Sequence, residues 1–310
     1  MGWFRAIYRF DYMGHKAWWF AFSGAIIAAG LVSMFVRGGG DPVHGLKYGL
    51  EFKTGTRMVV VFDKPTDLGQ VRAVVARGGF PDAVIQEVKD EPNKFQIQTA
   101  ALGSDQEQAL KAALDDEFGI ATYSSSTVSP AFGRQVISNS WKAALIALLL
   151  ILVYITVRFE WRFAVGAIVA ELHDLLIVVS VYSLVGREVT TGTIAAVLTI
   201  LGYSLYDTVI VFDRIRENGP KLGRLPYADI VNRSIWETLT RSINTTLLVL
   251  IPVVCLLLFG GATLKDFAFA LLVGILSGAY SSIFVASPVL TLLKEREPQY
   301  RKLAVRARQP

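Results

Sequence analysis

The sequence predicts a polytopic α-helical membrane protein with six transmembrane helices and one α+β domain outside the membrane. Of its 310 residues, 53% are hydrophobic and only 18% are charged, and the mean hydropathy is +0.44. Soluble domains carry about a quarter charged residues, so this composition indicates a membrane protein. Six apolar runs are long enough to span about 30 Å of hydrocarbon. Residues 37–135, between the first and second runs, have an ordinary soluble composition.

The six apolar runs are predicted to form the transmembrane helices. An α-helix rises about 1.5 Å per residue, so about 20 apolar residues cross the hydrocarbon core. The first run is longer than the apolar core of a signal peptide, and we expect it to be a retained anchor. The single cysteine, Cys255, lies in the fifth and shortest run and is interpreted as a buried, inert thiol. The predicted helices lie near Ala17–Val36, Trp141–Val157, Phe163–Val185, Ile194–Phe212, Asn244–Phe259 and Phe267–Leu293.

The segment between the first two helices alternates between strand-like and helix-like patterns. Strands are predicted in "RMVVVFD", "AVIQEVKD", "KFQIQTA" and "ATYSSSTVSP", and helices in "PTDLGQVRAVVARGG" and "SDQEQALKAALDDEFG". The order βαββαβ predicts a ferredoxin-like sheet with both helices on one face. Acidic and basic residues nearly balance in this domain, so a role in nucleic-acid binding has no electrostatic support.

The distribution of Lys and Arg predicts the orientation in the membrane. Six crossings place most of the basic residues on one side, while the two short loops on the opposite side hold only Arg187 and Lys265. The positive-inside rule then makes both termini cytoplasmic and the α+β domain extracytoplasmic. The same bias explains the pI of about 9.2 without a nucleic-acid partner.

These features predict four regions. The predicted organisation is residues 1–36 for the cytoplasmic N-terminus and helix one, 37–135 for the extracytoplasmic domain, 136–293 for helices two to six, and 294–310 for a basic cytoplasmic tail.

Predicted helix four carries an aspartate, Asp207, inside an otherwise apolar run. Ser204, Tyr203 and Thr199 precede it by three, four and eight residues, and Arg214 follows it by seven, so all five share one helix face. An ionised carboxyl at mid-membrane costs several kcal/mol, so such groups face the bundle interior and find partners or carry protons. Loss of water also brings reversible protonation of a carboxyl closer to neutral pH. The stripe therefore fits either a proton carrier or a hydrogen bond that holds helices together.

Predicted helix three holds two more carboxyl groups. Glu171 and Asp174 are three residues apart on one face, with His173 turned about 100° away. Asp174 is a second candidate for proton coupling, although it and the adjacent His173 could also satisfy each other. Glu171 is expected nearer the cytoplasmic edge, where water reaches it, and a structural role is favoured for it.

Small residues in predicted helix six indicate close helix packing. Gly274 and Gly278 are four residues apart, with Ser277 and Ser281 beside them. Small side chains let helices approach each other where lipid provides no hydrophobic drive, and a tight pair also leaves room for a polar seam. The sequence contains no metal-ligand spacing, P-loop or dinucleotide fingerprint. We therefore expect no catalytic residues, no metal and no cofactor, and an energy source outside the chain.

The polar and apolar segments together resemble a known family. The run "ELHDLLIVVSVYSLVGREVTTGTIAAVLTILGYSLYDTVIVFDRIREN" is similar to the signature region of SecF, the smaller member of the paired SecD and SecF subunits that assist bacterial protein export. Further matches are "RFDYMGH", "NRSIWETLTRSINTT" and "GAYSSIFVASPVL", so the resemblance covers essentially the whole chain. The extracytoplasmic domain matches by pattern and position.

The sequence departs from the family pattern at four positions. Glu51 stands where the family usually has Asp, and Thr54 where it has Gly, in the loop before the first domain strand. Tyr206 replaces a smaller polar residue, and Glu171 replaces a small or apolar one. The last two bear on the route around the aspartates but leave Asp207 in place.

The resemblance implies a half-transporter of the resistance-nodulation-division type in the bacterial cytoplasmic (inner) membrane. Its expected partners are a SecD-like subunit, the SecY translocon with its accessory membrane subunits, and unfolded preprotein, and its expected energy source is the proton gradient. In that scheme Asp207 takes up and releases protons, and Arg241 at the start of helix five is its cationic partner. Two other classes stay open: a proton-driven exporter of small molecules or lipids, and a structural assembly factor without proton coupling.

Overall fold

The computed structural model of the chain describes residues 10–42, 44–49, 52, 55–88, 91–128 and 130–307. These residues separate into two compact units, one formed by Tyr48–Ser140 and the other by the chain on either side of it. In chain order the elements are α1 (Lys16–Arg37), β1 (Lys47–Tyr48), β2 (Gly55–Phe62), α2 (Leu68–Arg77), β3 (Val84–Glu87), β4 (Lys94–Thr99), α3 (Ser104–Phe118), β5 (Ile120–Val128), α4 (Pro130–Arg158), α5 (Trp161–Val185), β6 (Glu188–Val189), α6 (Thr191–Lys221), α7 (Tyr227–Phe259), α8 (Ala262–Ser281), a π-helical segment (Ser282–Ala286), α9 (Ser287–Lys294) and α10 (Pro298–Ala307).

The smaller unit is a four-stranded antiparallel sheet with two helices on one face. Its strands lie in the order β3-β4-β2-β5, and every neighbouring pair is antiparallel. Met58 and Val60 of β2 point into a core shared with Val71 of α2 and Leu114 of α3, and all four are fully buried. The strand order and directions are those of a ferredoxin-like sheet, so the predicted βαββαβ order is confirmed.

Six helices of the described chain are long and apolar enough to cross a membrane, as predicted. They are α1, α4, α5, α6, α7 and a sixth that runs from α8 through the π-helical segment into α9. Lipid offers no hydrogen bonds to the backbone, and a helix satisfies its own N–H and C=O groups. The chain is therefore an integral, multi-pass membrane protein.

The fifth membrane helix is longer than predicted. The apolar run suggested a start near Asn244, whereas α7 begins at Tyr227 and has 33 residues. Its first half is polar, and this half is stabilised by the ion pair between Arg233 and Glu237, four residues apart, and by a hydrogen bond from Asn218 of α6. Hydropathy alone could not find this half, because its helix depends on pairing and packing.

Helix α6 lies at the centre of the membrane unit, where it packs against α7, α8 and α5. Gly278 of α8 faces Ser204 of α6, and a Cβ atom on this glycine would lie 2.9 Å from the serine Cβ. Gly274, one turn earlier, directly faces the side chain of Ile200. The two glycines therefore hold α8 against α6 at a separation that a side chain would not permit.

Cys255 is exposed on α7, which corrects the prediction of a buried thiol. Its helix presents several apolar side chains outward, among them Leu248, Ile251 and Leu258. A cysteine side chain is weakly polar and can face either lipid or a protein core. The apolar run around Cys255 therefore could not show whether its thiol is buried in the bundle.

Candidate functional site

Asp174 of α5 lies in a shell of serine hydroxyl groups from two other helices. Its Oδ1 accepts a hydrogen bond from Ser277 Oγ at 2.6 Å, and its Oδ2 accepts from Ser204 Oγ at 2.7 Å and Ser281 Oγ at 2.8 Å. The aspartate is 1% exposed. Three helices are thus joined at one buried carboxyl group.

The glycines of α8 and the helical spacing of its serines create this shell. Ser277 and Ser281 are four residues apart and therefore lie on the same face of α8. Gly278, between them, allows Ser204 of α6 to approach that face closely. The residues predicted as packing elements in helix six thus also supply hydrogen-bond donors to Asp174.

His173 is adjacent to the same carboxyl group. Its Nδ1 lies 3.1 Å from Asp174 Oδ1, and its ring stacks on Tyr280 with centroids 5.9 Å apart. His173 Nε2 is buried without a partner among the described residues. The predicted contact between His173 and Asp174 is present, and it adds to the serine hydroxyls rather than replacing them.

Asp207 of α6 is a second buried carboxyl group, 3% exposed. Its Oδ1 accepts a hydrogen bond from Ser242 Oγ of α7 at 2.6 Å. Its Oδ2 is buried and has no partner among the described residues. One of the two carboxyl oxygens of Asp207 is therefore hydrogen-bonded, whereas both oxygens of Asp174 are.

Arg241 is near Asp207 but forms no ion pair with it. It lies well inside α7, on an exposed face, and donates from Nη2 to the hydroxyl of Tyr206 at 3.0 Å. The direct partner of the aspartate is Ser242, the next residue along α7, and Tyr206, a departure from the family pattern, holds the arginine.

The remaining members of the predicted stripe on α6 separate in the structure. Thr199 is exposed and donates to the backbone of its own helix, at Ala195 O. Tyr203 is half-buried and donates to Thr246 of α7 at 3.3 Å. Arg214, at the end of the stripe, pairs with Glu217 and with Glu237 of α7. Of the five residues of this stripe, Ser204 and Asp207 are the two that are buried.

Glu171 is fully buried, which corrects the expectation that water reaches it. It is 1% exposed, and its Oε2 has no partner among the described residues. Because α5 begins at Trp161, Glu171 lies about 15 Å along the helix from its start. It lies one turn from Asp174, in the same part of the bundle.

Comparison with known proteins identifies the family. The family described as "Protein export membrane protein SecD/SecF, C-terminal" matches residues 107–296. The protein translocase subunit SecF of Thermodesulfovibrio yellowstonii is 39% identical over 91% of this chain and 94% of its own length. The chain belongs to the SecF family of protein translocase subunits. The SecF subunit of Streptomyces coelicolor is 38% identical over 96% of this chain and 80% of the relative.

The fold of this SecF family member also matches solved structures of SecDF, which is a longer chain. The crystal structure of SecDF from Thermus thermophilus has a TM-score of 0.81 and 38% identity, and the match covers 93% of this chain and 39% of that one. A structure of SecDF in the super-membrane-facing form has a TM-score of 0.66 and 34% identity, over 97% and 40% of the two chains. The chain thus spans about two fifths of the SecDF chains it matches.

Two polar contacts of this SecF family member were not predicted. Ser242 follows Arg241 directly in the sequence, and nothing in the local pattern separates it from the neighbouring threonines. Thr208 Oγ1 and Ser282 Oγ lie 2.9 Å apart and join α6 to the π-helical segment. One signal was available: Thr208 and Ser282 each adjoin a predicted site residue. Among the described residues, no group of three or more His, Cys, Asp and Glu side chains is placed to hold a metal ion.

Proposed function

We propose that this chain couples the proton gradient to late stages of preprotein export, together with a SecD-like subunit and the SecY translocon with its accessory membrane subunits. The observation that carries the proposal is the pair of buried carboxyl groups, Asp174 and Asp207, in the helix bundle of a translocase-family subunit. Both are hydrogen-bonded by serine hydroxyls from neighbouring helices.

The hydroxyl partners support proton exchange rather than a permanent charge. A hydroxyl donates to a carboxylate and accepts from a carboxylic acid, so it satisfies either protonation state after a small rotation. A Lys or Arg ion pair would instead favour the charged form. Among the described residues, neither aspartate forms an ion pair with Lys or Arg. Protonation of either carboxyl would therefore change the strength and direction of bonds between helices.

The driving force is sufficient in principle for such a cycle. One elementary charge crossing the membrane gains about 2.3 kcal/mol per 100 mV, before any contribution from a pH difference. In the proposed cycle Asp207 binds and releases protons, Arg241 tunes it through space, and the extracytoplasmic domain moves in response. The proton gradient serves as the energy source in place of a bound cofactor.

The family membership supports the substrate and the partners. Relatives carry the name protein translocase subunit, and SecDF proteins contain a segment like this chain within a chain more than twice as long. We infer that a separate SecD-like subunit supplies the remaining part and that unfolded preprotein is the substrate. The positive-inside asymmetry supports cytoplasmic termini and an extracytoplasmic location for residues 37–135 in the bacterial inner membrane.

Asp207→Asn tests the proposal. Asn keeps the size of Asp and much of its hydrogen bonding but cannot change charge. Preprotein export is measured in membrane vesicles with and without an imposed proton gradient, at matched protein levels. We expect the variant to lose the gradient-dependent increment and keep the gradient-independent rate.

Asp213→Asn is the matched control for this experiment. Asp213 lies on the same helix, but it is exposed, and its Oδ1 lies 3.8 Å from Nη2 of Arg158. We therefore expect the Asp213→Asn variant to show the same gradient-dependent increment in export as the wild type. If Asp207→Asn keeps the full increment, the aspartate is a structural hydrogen-bond acceptor and the proposed coupling is wrong. Because an interhelical hydrogen bond contributes only about 0.6 to 2 kcal/mol, a structural role predicts little loss.

A further inference from the structure

Glu171 differs from both aspartates in having no hydrogen-bond donor for its buried oxygen. Oε2 is buried without a partner among the described residues, and the residue as a whole is 1% exposed. A buried carboxylate without donors or a counter-ion is strongly disfavoured, whereas a neutral carboxylic acid is tolerated at much lower cost. The surroundings of Glu171 therefore suit the acid form.

Asp174, one turn away on the same helix, has the opposite surroundings. Three serine hydroxyls donate to its two oxygens, and His173 Nδ1 lies within hydrogen-bonding distance as well. A carboxylate that accepts two or three hydrogen bonds is stabilised in its charged form. The same segment of α5 thus carries one carboxyl suited to the charged state and one suited to the neutral state.

The spacing of the two residues couples their protonation. Residues three apart on a helix are neighbours, with Cβ atoms about 5–6 Å apart. When two neighbouring carboxyl groups are buried, a negative charge on one disfavours a negative charge on the other. In their apolar parts, the elements packed against α5 carry the titratable residues Tyr203, Tyr206, Asp207 and Tyr280. Each has another partner: Tyr203 bonds to Thr246, Tyr206 to Arg241, Asp207 to Ser242 and Tyr280 to Trp19 O. At the helix ends, Lys294 pairs with Glu160.

We propose that Glu171 is a third proton-carrying carboxyl of the bundle and shares one proton with Asp174. In the described conformation the proton is on Glu171 and the negative charge on Asp174. Transfer of this proton from Glu171 to Asp174 leaves a carboxylate on Glu171 and a carboxylic acid on Asp174. The net charge of the pair stays at −1. The new O–H of Asp174 donates to one of the three serine hydroxyls, which turns from donor to acceptor, while the other two donate to a neutral acid instead of a carboxylate, so the contact between α5 and α8 loosens. The role in export rests on the function proposed above, but the protonation state of Glu171 does not.

Infrared spectroscopy of the full chain, purified with its partner subunits, tests the protonation state directly. A protonated carboxyl has a carbonyl stretching band distinct from that of a carboxylate, and the band shifts in D₂O. We expect the wild type to show such a band at neutral pH, and we expect a component of it to be missing in Glu171→Gln and present in the exposed control Asp213→Asn. Glu171→Leu removes the carboxyl without adding an amide, and we expect the same result from it. This variant serves as the test if the glutamine variant fails to assemble. A band that persists at full strength in both Glu171 variants shows an ionised, hydrated carboxylate and overturns the proposal.

Two further measurements test the sharing and the use of the proton. The pH at which the band disappears should differ between wild type and Asp174→Asn, and an unchanged titration would show that the two carboxyls are independent. The gradient-dependent export increment should fall at least about tenfold in Glu171→Gln and Glu171→Leu. If these variants keep the full increment while Asp207→Asn loses it, the export role of Glu171 is refuted but the proposed function is not. A full increment in all three variants refutes the proposed function, whereas the infrared result still decides the protonation state.

Discussion

Three buried carboxyl groups among the described residues of the bundle differ in the number of donors around them. Asp174 accepts from three serines, Asp207 accepts from Ser242 alone, and Glu171 accepts from none of the described residues through its buried oxygen. Hydrogen bonds to charged groups contribute about 1.5–3 kcal/mol each, so these differences are large enough to distribute charge unequally. Residue type alone would have treated all three as equivalent.

At this scale we expect Ser277→Ala to weaken the shell of Asp174. The change removes one donor from a buried carboxylate and should lower the free energy of unfolding by about 1–3 kcal/mol, with a loss of gradient-dependent export. Ser287→Ala is the control, because this buried serine donates to a backbone carbonyl, at Ser282 O, and not to a carboxyl. Thermal unfolding in detergent and vesicle export measure the two effects. Equal losses of both in the two variants would contradict a special role for the shell.

Among the elements, the contact between α6 and α8 determines where the site can form. Gly278 brings Ser204 against α8, and the π-helical segment begins soon after Ser281, where Ser282 donates to Gly278 O at 2.9 Å. A π-helical turn widens the helix and often occurs at functional positions. Helix packing and the carboxyl shell therefore depend on the same few residues.

Gly278→Ala is expected to separate these two helices. The added methyl group would lie 2.9 Å from Ser204 Cβ and 3.2 Å from Ser204 Cα, and overpacking of this kind costs about 1–3 kcal/mol. Gly202→Ala on α6 is the control, because nothing lies within 4 Å of its new Cβ, and the better helix propensity of Ala should leave it neutral or stabilise it by up to about 1 kcal/mol. Thermal stability in detergent distinguishes them. A Gly278→Ala protein as stable as Gly202→Ala would show that the close approach is not required.

For the whole molecule, we expect the orientation in the membrane to follow from the charge asymmetry of the connections. Among the described residues six helices can cross a membrane, and the similarity spans 94% of the SecF subunit of Thermodesulfovibrio yellowstonii. The proposed orientation places the α+β domain outside the cytoplasm, on the side where exported polypeptide emerges. It also places the ion pairs at the end of α6, such as Arg214 with Glu217, on the cytoplasmic side.

Cysteine labelling tests this orientation. In a Cys255→Ala background, which removes the exposed native thiol, Gln108→Cys in the α+β domain should react with a membrane-impermeant reagent in intact spheroplasts. Arg224→Cys, in the connection between α6 and α7, should react only after permeabilisation. Both positions are exposed, so accessibility within the fold is matched. The opposite pattern would reverse the proposed topology.

The sequence by itself determined the fold class, the number of membrane helices and the strand order of the α+β domain. Hydropathy and periodicity depend on residues close together in the chain, so these features could be read without the structure. One exception was the first half of α7, whose polar residues form a helix through ion pairs and packing that hydropathy does not report. Helix α10, in the predicted basic tail, was another. The carboxyl groups were also found from the sequence, because charge within an apolar run is itself a local signal.

Only the tertiary structure decided which polar groups meet. Ser277 is 103 residues from Asp174 in the chain and Ser281 is 107 residues away, yet both donate to it. In the packed bundle Glu171, which was expected near water, is buried, and Arg241 is bonded to Tyr206 rather than paired with Asp207. The physical reason is that hydrogen bonds are short and directional. Their partners are therefore chosen by the separation and rotation of packed helices, which no local pattern of residues encodes.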